Sequence, residues 1–406
     1  MDLGIVIRES RIRLLALHSR YTDQLSYYDD WLDALKAHSG FSIVEFDILK
    51  SSRALRRLTT EVDAIVALHS TNADTTIPIE RHVAVLVDRR VPLISFVGNE
   101  VNLPGSSISA KRSVLSKIRP QLIATQLLQE AGQFLFGDLA SLGVVSLPHA
   151  LNVQVFRPMN RYKRPIDIGT RVARYVPHLG DNDRNRIADR FIEVGRRRNF
   201  TIDISNRRLD RAGWARFLND CTGTISSEAG SWFLERNDTT VNAIRKYLRE
   251  RATGVEIASD SVLSRMGYRL PDWVRQVAKR AFHYAGVRFE QQAYAQPHAY
   301  EDIHRRFFSG KPRPGIYGKC ISSRHFDAVG TKTCQIMFRG RFNDILRADH
   351  HYLALDHDFG NLDDVLRRFS DERERTAVTD EAHAHVLASH TYPHRMQQLE
   401  NLLRSL

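Results

Sequence analysis

Residues 322–338 read SSRHFDAVGTKTCQIMF, and RGRF follows at 339–342. Ser322–Gly330 has the make-up of a short helix entered through serines, and small residues then lead into the apolar run Gln335–Phe338, which reads as a buried strand. Asp327 is read on the first turn of that helix, where a carboxylate suits hydrogen bonds to a diol such as that of a ribose. The main-chain N–H groups of the same helix start, with Arg324 beside them, favour a diphosphate. Taken alone, the block reads equally as a solvent-facing helix start with ordinary charges.

The flanking sequence repeats this helix and strand alternation. In the second half, strands are expected at Ile166–Gly169, Phe200–Ile204, Gln335–Phe338 and Tyr352–Leu355. Helices are expected over Asn185–Arg198, Leu362–Phe369 and a terminal region Thr379–Leu406. The first 150 residues predict strands at Arg13–Leu17, Ser42–Phe46, Ala64–Leu68, Leu93–Val97 and Val144–Leu147. They also predict helices at Tyr27–Ala37 and Val114–Phe136, the second interrupted at Pro120. Pro148–Asn160 has a proline near each end and little amphipathic pattern, so it reads as a crossing between domains. The expected division is an N-terminal Rossmann-like acceptor domain over 1–150 and a nucleotide-binding domain over 151–385. Residues 233–315 form a helical, basic elaboration of the second domain without clear strands, and a helix over 386–406 packs back toward the first.

At 406 residues the chain exceeds one ordinary hydrophobic core, and 42% hydrophobic with 26% charged residues is globular. Cys221, Cys320 and Cys334 lack metal-ligand or redox spacing, which fits a reducing cytoplasm. No apolar run is long enough to span a bilayer, and the first residues lack a secretory pattern. The net charge of +12 predicts attraction to polyanions. No Walker loop, Gly-x-Ser-x-Gly elbow, His-Glu-x-x-His or Gly-x-Gly-x-x-Gly is present, so kinase, hydrolase, zinc-protease and ordinary dehydrogenase readings lose their support.

In open α/β sheets ligands lie beyond the carboxyl ends of the strands. His18, His69 and Glu100 all fall there in the first domain, as titratable candidates for a general base acting on an acceptor hydroxyl. Lys111 is a candidate contact for an anionic acceptor. In the second domain Arg171 and Arg174 follow a strand and are placed to neutralise a departing diphosphate. Glu228, Gly230 and Ser231 follow another strand and offer backbone and carboxylate contacts. Asp349, His350, His351, Asp356, His357 and Asp358 are metal-ligand types, but the strand between them spreads them apart, and no metal site is expected. Val274, Val277, Ala278, Ala281, Phe282 and Ala285 make one face of a basic amphipathic helix. That helix either packs on the domain or docks on an anionic membrane or charged acceptor.

The block around Asp327 resembles the Phe-Glu-Ala and following Gly-Thr segment of GT-B glycosyltransferases, with Gly330 and Thr331 in the matching places. His351, Tyr352, Leu355, Asp358 and Asn361 resemble the His-Tyr-x-x-Leu-x-x-Asp-x-x-Asn stretch of bacterial members related to the group-one transferases. His390, Thr391, Tyr392, His394 and Arg395 are similar to the start of their terminal helix. The resemblance implies an α/β, GT-B fold with two Rossmann-like domains facing across a cleft. It implies a nucleotide-sugar donor as substrate with no separate cofactor, its ribose held by Asp327 with Gly330 and Thr331 beside it. Arg171, Arg174, Arg324, Glu228, Gly230 and Ser231, placed by their own elements, are the further expected donor contacts. The implied acceptor is a glycan or glycolipid of the polysaccharide or lipopolysaccharide kind, reached from the cytoplasm, peripherally at the inner membrane face. One departure stands out, because many relatives carry a Glu-x7-Glu pair where this chain has Lys319 and Asp327. A nucleic-acid-binding protein or DNA-modifying glycosyltransferase is the weaker alternative, since the basic residues form no single stripe. A nucleotide-sugar epimerase is a third.

Overall fold

The computed structural model describes residues 10–19, 26–159, 163–251, 297–312 and 315–406, with short pieces at 256–257, 274, 277–278, 281 and 288–289. The first half forms one parallel sheet of six strands. These are β1 (Ile12–His18), β2 (Phe41–Asp47), β3 (Ala64–Ala67), β4 (Leu93–Phe96), β5 (Leu122–Thr125) and β6 (Val144–Ser146), in the order β2-β1-β3-β4-β5-β6. Alternate residues serve opposite layers, as a strand's period of two requires. Leu15, Leu17, Ile65 and Ile123 enter one core, whereas Leu14, Ala16, Val66 and Ile94 enter the other. Both faces being covered accounts for the continuous apolar runs.

The single helix expected over Val114–Phe136 is corrected to a helix, a strand and a second helix. The Ile108–Ile118 helix stops at Arg119, which takes a left-handed conformation with φ of 46°. Pro120 follows, β5 pairs with both β4 and β6, and a new helix runs Gln129–Phe136. A short, wholly buried strand has the same apolar run as a buried helical turn, which hid it.

The second sheet contains β7 (Ile166–Arg171), β8 (Ile202–Ser205), β9 (Cys221–Ser226), β14 (Cys334–Phe338) and β15 (Leu353–Leu355), ordered β15-β14-β9-β7-β8 and parallel throughout. Beside it, β10 (Ala229–Gly230) pairs antiparallel with β13 (Lys319–Cys320). The elaboration contributes helices Thr239–Arg249 and Pro297–Phe307, and β11 (Glu256–Ile257) pairs with β12 (Arg288–Phe289), so it is not free of strands. The amphipathic helix expected over 274–285 lies largely outside the described residues.

The terminal helical region is two helices, Glu372–Ser389 and Tyr392–Arg404, broken at His390 and Thr391. Tyr392, Met396, Leu399 and Leu403 of the last helix are buried in the first half's core against Trp31, Leu32 and Leu35. Each such side chain contributes roughly 1.5–3 kcal/mol on burial. The crossing segment meets this helix directly, since the Tyr392 N–H donates to Leu151 O at 3.1 Å. Beside the cleft, Asp238 of the elaboration accepts from the N–H groups of Ile108 and Ser109 at 3.2 and 3.1 Å, capping a first-half helix. Asn102 donates to Asn237 O at 2.7 Å in the same clamp. Among the described residues no helix is long and apolar enough to cross a membrane.

Candidate active site

A cleft of about 480 Å³ opens between the two halves. This volume lies within the ordinary range for small-ligand sites. The first half supplies Asn99 and Glu100 beyond β4, Gln126 beyond β5, and His149 beyond β6, all at carboxyl ends of strands. The second half supplies Tyr175, Arg184, Arg208, Gly230, Ser322 and Arg324 among others.

Two helices point their starts into this space. Arg184 is on the first turn of Asp183–Arg198 and Arg324 on the first turn of Ser323–Gly330. Both guanidiniums act on the Tyr175 phenol and the His325 imidazole, which places them in one neighbourhood. Arg184 also stacks 3.9 Å over the Tyr175 ring. The positive ends of two helices together with two cations form a site suited to a diphosphate. Gly230 lets the wall pass close: its φ is +96°, and a Cβ there would lie 2.3 Å from Gly318 O.

Opposite, Glu100 is 4% exposed and accepts from the Gln126 N–H at 2.7 Å and from the Thr125 hydroxyl. Burial pushes its carboxyl up to about 7, against the opposing pull of Thr125, Gln126 and Lys111. A carboxylate poised there can accept a proton from a hydroxyl near neutrality. Lys111 is buried beneath it, donating to Asn99 O at 2.7 Å, and burial brings it down to about 8. It is a support of the rim and not a surface contact for an acceptor.

The structure therefore brings Glu100, Arg174, Gly230 and Arg324 to one cleft and leaves the other candidate residues away from its lining. His18 is mostly buried, with Nε2 3.8 Å from Glu45. His69 is fully buried among Trp31, Phe96 and His149, and burial lowers its pKa well below the usual imidazole value. Its imidazole is thus neutral and closed off from solvent. Arg171 is held bidentately by Asp203 at 2.7 Å and lies 3.8 Å over Phe217, turned from the cleft. Arg174 reaches the lining but is held by Asp189 through two 2.7 Å bonds.

Asp327 is on the second turn of its helix, not the first, and is 4% exposed. It accepts from Trp214 Nε1 at 2.9 Å, while burial and nearby Asp30 push its pKa far up. Glu228 is spent on the Phe342 N–H, at 2.7 Å, and the Tyr317 hydroxyl. The Ser231 hydroxyl donates to Leu179 O at 2.7 Å. Gly330 lies against Leu151 and Phe156 where no Cβ fits, and the Thr331 hydroxyl bonds back to Asp327 O at 3.1 Å. Glu228, Ser231, Gly330 and Thr331 fasten the walls.

Lys319, in the place of the missing glutamate, is buried between Asp181 at 2.7 Å and Asp183 at 2.6 Å. Burial disfavours its ammonium, yet the two aspartates outweigh that and hold its pKa above the ordinary value. The triad ties β13 to the start of the helix carrying Arg184. Sequence reading missed Arg184, although Gly180-Asp181-Asn182-Asp183 marks a helix start directly before it. Asp356 is paired with Arg339 at 2.8 Å and Asp358 accepts from the Gly360 N–H at 2.8 Å. Among the described residues no group of three or more His, Cys, Asp or Glu side chains is arranged to hold a metal.

Residues 269–401 match the family model described as glycosyl transferase-like. No curated protein matches the chain in sequence. Among solved structures, HepE of Anabaena in complex with UDP-glucose is similar over 98% of this chain and 100% of its own. The TM-score is 0.53 and the identity 9%. An alpha-glucosyltransferase in complex with UDP and a 13-mer DNA containing an HMU base is similar over 97% of this chain and 100% of its own, with a TM-score of 0.54 and 8% identity. The architecture is GT-B. The glycosyl transferase-like match lies within the second of the two halves and covers about a third of the chain.

Proposed function

We propose that the protein transfers a sugar from a uridine-diphosphate sugar to a hydroxyl of a glycan or glycolipid acceptor, without a metal ion. The observation that carries this reading is the opposition of Arg184 and Arg324, each at a helix start, to Glu100 across one cleft. The two arginines and the helix N–H groups take the diphosphate and stabilise its growing charge as the glycosidic bond breaks. Glu100 takes the proton of the attacking hydroxyl. The uridine base is suggested by the UDP and UDP-glucose complexes of the two similar structures. Incubation with UDP-sugars and a panel of glycan and lipid-linked acceptors, read by UDP release and product mass, tests it.

A second reading, glycosylation of DNA, is favoured by the net charge of +12 and by the fold shared with an enzyme bound to DNA. It predicts duplex binding that falls steeply with salt, as neutralised phosphates require, and sugar incorporation into DNA. Product from the UDP-sugar without any acceptor would instead indicate an epimerase.

A further inference from the structure

A second cavity, of about 720 Å³, lies on the first half at the amino ends of β4 and β5, opposite the cleft. Its floor is Arg89, whose guanidinium donates to Ile118 O at 2.5 Å, to Arg119 O at 2.6 Å and to Leu86 O, joining the ends of two helices. Around it stand Arg90, Lys117 and Arg119, all exposed. Among the described residues none of these three has an acidic partner. The acid beside them in sequence, Asp88, is engaged by Arg56 at 3.1 Å. Other cations of this half are paired, among them Arg112 with Asp138 at 2.7 Å and Lys36 with Glu45 at 2.6 Å.

The same rim presents bare aliphatic side chains. Val87 lines the cavity and is 52% exposed, and Leu142 is 62% exposed. Leu142 is fastened to this rim because its N–H donates to Gln121 O at 2.9 Å, and Gln121 lines the cavity. We propose that this face docks on an anionic phospholipid bilayer, with a headgroup phosphate received by Arg90, Lys117 and Arg119 and with Val87 and Leu142 entering the interface. Cations meet the lipid phosphates and aliphatic side chains the acyl boundary, a combination that a bilayer satisfies. A polynucleotide would leave the two aliphatic side chains without a partner. The cleft opens at the other ends of the strands, so docking holds it on the order of 20 Å from the lipid surface and leaves it open. The proposal does not depend on the donor assigned to the cleft.

Co-sedimentation of the full chain with phosphatidylcholine vesicles, with and without phosphatidylglycerol, tests this. The protein is expected to pellet only with the anionic vesicles. The Arg90→Gln, Lys117→Gln, Arg119→Gln triple variant is expected to bind about a hundredfold more weakly, roughly fivefold per charge. Val87→Ser with Leu142→Ser is expected to weaken binding as well, whereas Arg56→Gln stays within about twofold of wild type. Each variant is compared at an unchanged Tm. Equal pelleting with both vesicle types, or undiminished binding by the triple variant, would overturn the proposal. So would retention on duplex DNA through the same three residues without vesicle binding.

Discussion

Glu100 accepts the main-chain N–H of Gln126 at 2.7 Å, which fixes the only titratable carboxyl on the first half's wall of the cleft among the described residues. Its burial brings the carboxyl up to about 7, so activity is expected to rise with pH through about 7 as the carboxylate forms. Glu100→Gln should lower kcat by roughly 10²–10⁴-fold and abolish that rise. The raised pKa also bears on stability. The folded protein holds a proton that the unfolded chain releases, so this contribution is full below the ordinary glutamate value of 4.5 and is lost as pH rises through about 7. Glu100→Gln should therefore flatten the stability profile across that window, as thermal melts would record. A Glu100→Gln enzyme with an unchanged pH–rate profile would remove Glu100 from the chemistry.

Lys319 makes a different prediction, because its two carboxylate partners are buried with it. Burial opposes the Asp183 charge, but His357 and Lys319 hold its pKa below the ordinary aspartate range. This contribution is present above pH about 4 and fades as pH falls through the depressed folded value. Lys319→Met leaves Asp181 uncompensated and Asp183 with only the more distant His357 and Arg186, at 3.5 and 3.6 Å, and should cost about 3–5 kcal/mol near neutrality. The deficit should shrink on acidification, where the stranded aspartates take up protons. Denaturant titrations at pH 8 and pH 5 compare the two, and an equal deficit at both would mean that the lost ammonium is not the cause.

The sheets were legible where apolar runs stood between polar turns, as in Leu14–Leu17 and Ile336–Phe338. They were illegible at β5, where Leu122–Thr125 lies between two buried helical segments with only Arg119 and Pro120 marking the stop. Site legibility divided similarly. Glu100 and Arg324 could be read because each follows or opens an element at a cleft-facing end. Asp327 and Arg171 have the right chemistry by type and the wrong surroundings, since Trp214 and Asp203 claim them in space from 113 and 32 residues away. No spacing rule reports such partners. Arg184 was obscured by the reverse problem, one cation among 59 lysines and arginines.

Metal independence can be tested against the residues that most resemble a metal motif. Asp356 and Asp358 are committed to Arg339 and to the turn at Gly360, so turnover is expected to persist in excess EDTA. Asp356→Asn with Asp358→Asn should change kcat by less than about threefold, as removal of an exposed ion pair costs little. Loss of turnover in EDTA with recovery on manganese, together with inactive aspartate variants, would assign the leaving-group charge to a metal instead.

The central claim is that Arg184 and Arg324 receive a nucleoside diphosphate in the cleft, and calorimetric titration tests it most directly. Wild-type protein titrated with UDP, GDP, ADP, CMP and dTDP should bind UDP most tightly, at one site per chain. Arg184→Ala and Arg324→Ala should each weaken UDP binding by about 10- to 100-fold, the range for one charge-assisted hydrogen bond. Arg171→Ala, whose partner is Asp203, should leave the affinity within about twofold. No binding of any nucleotide, or full affinity in both the Arg184→Ala and Arg324→Ala proteins, would contradict the account.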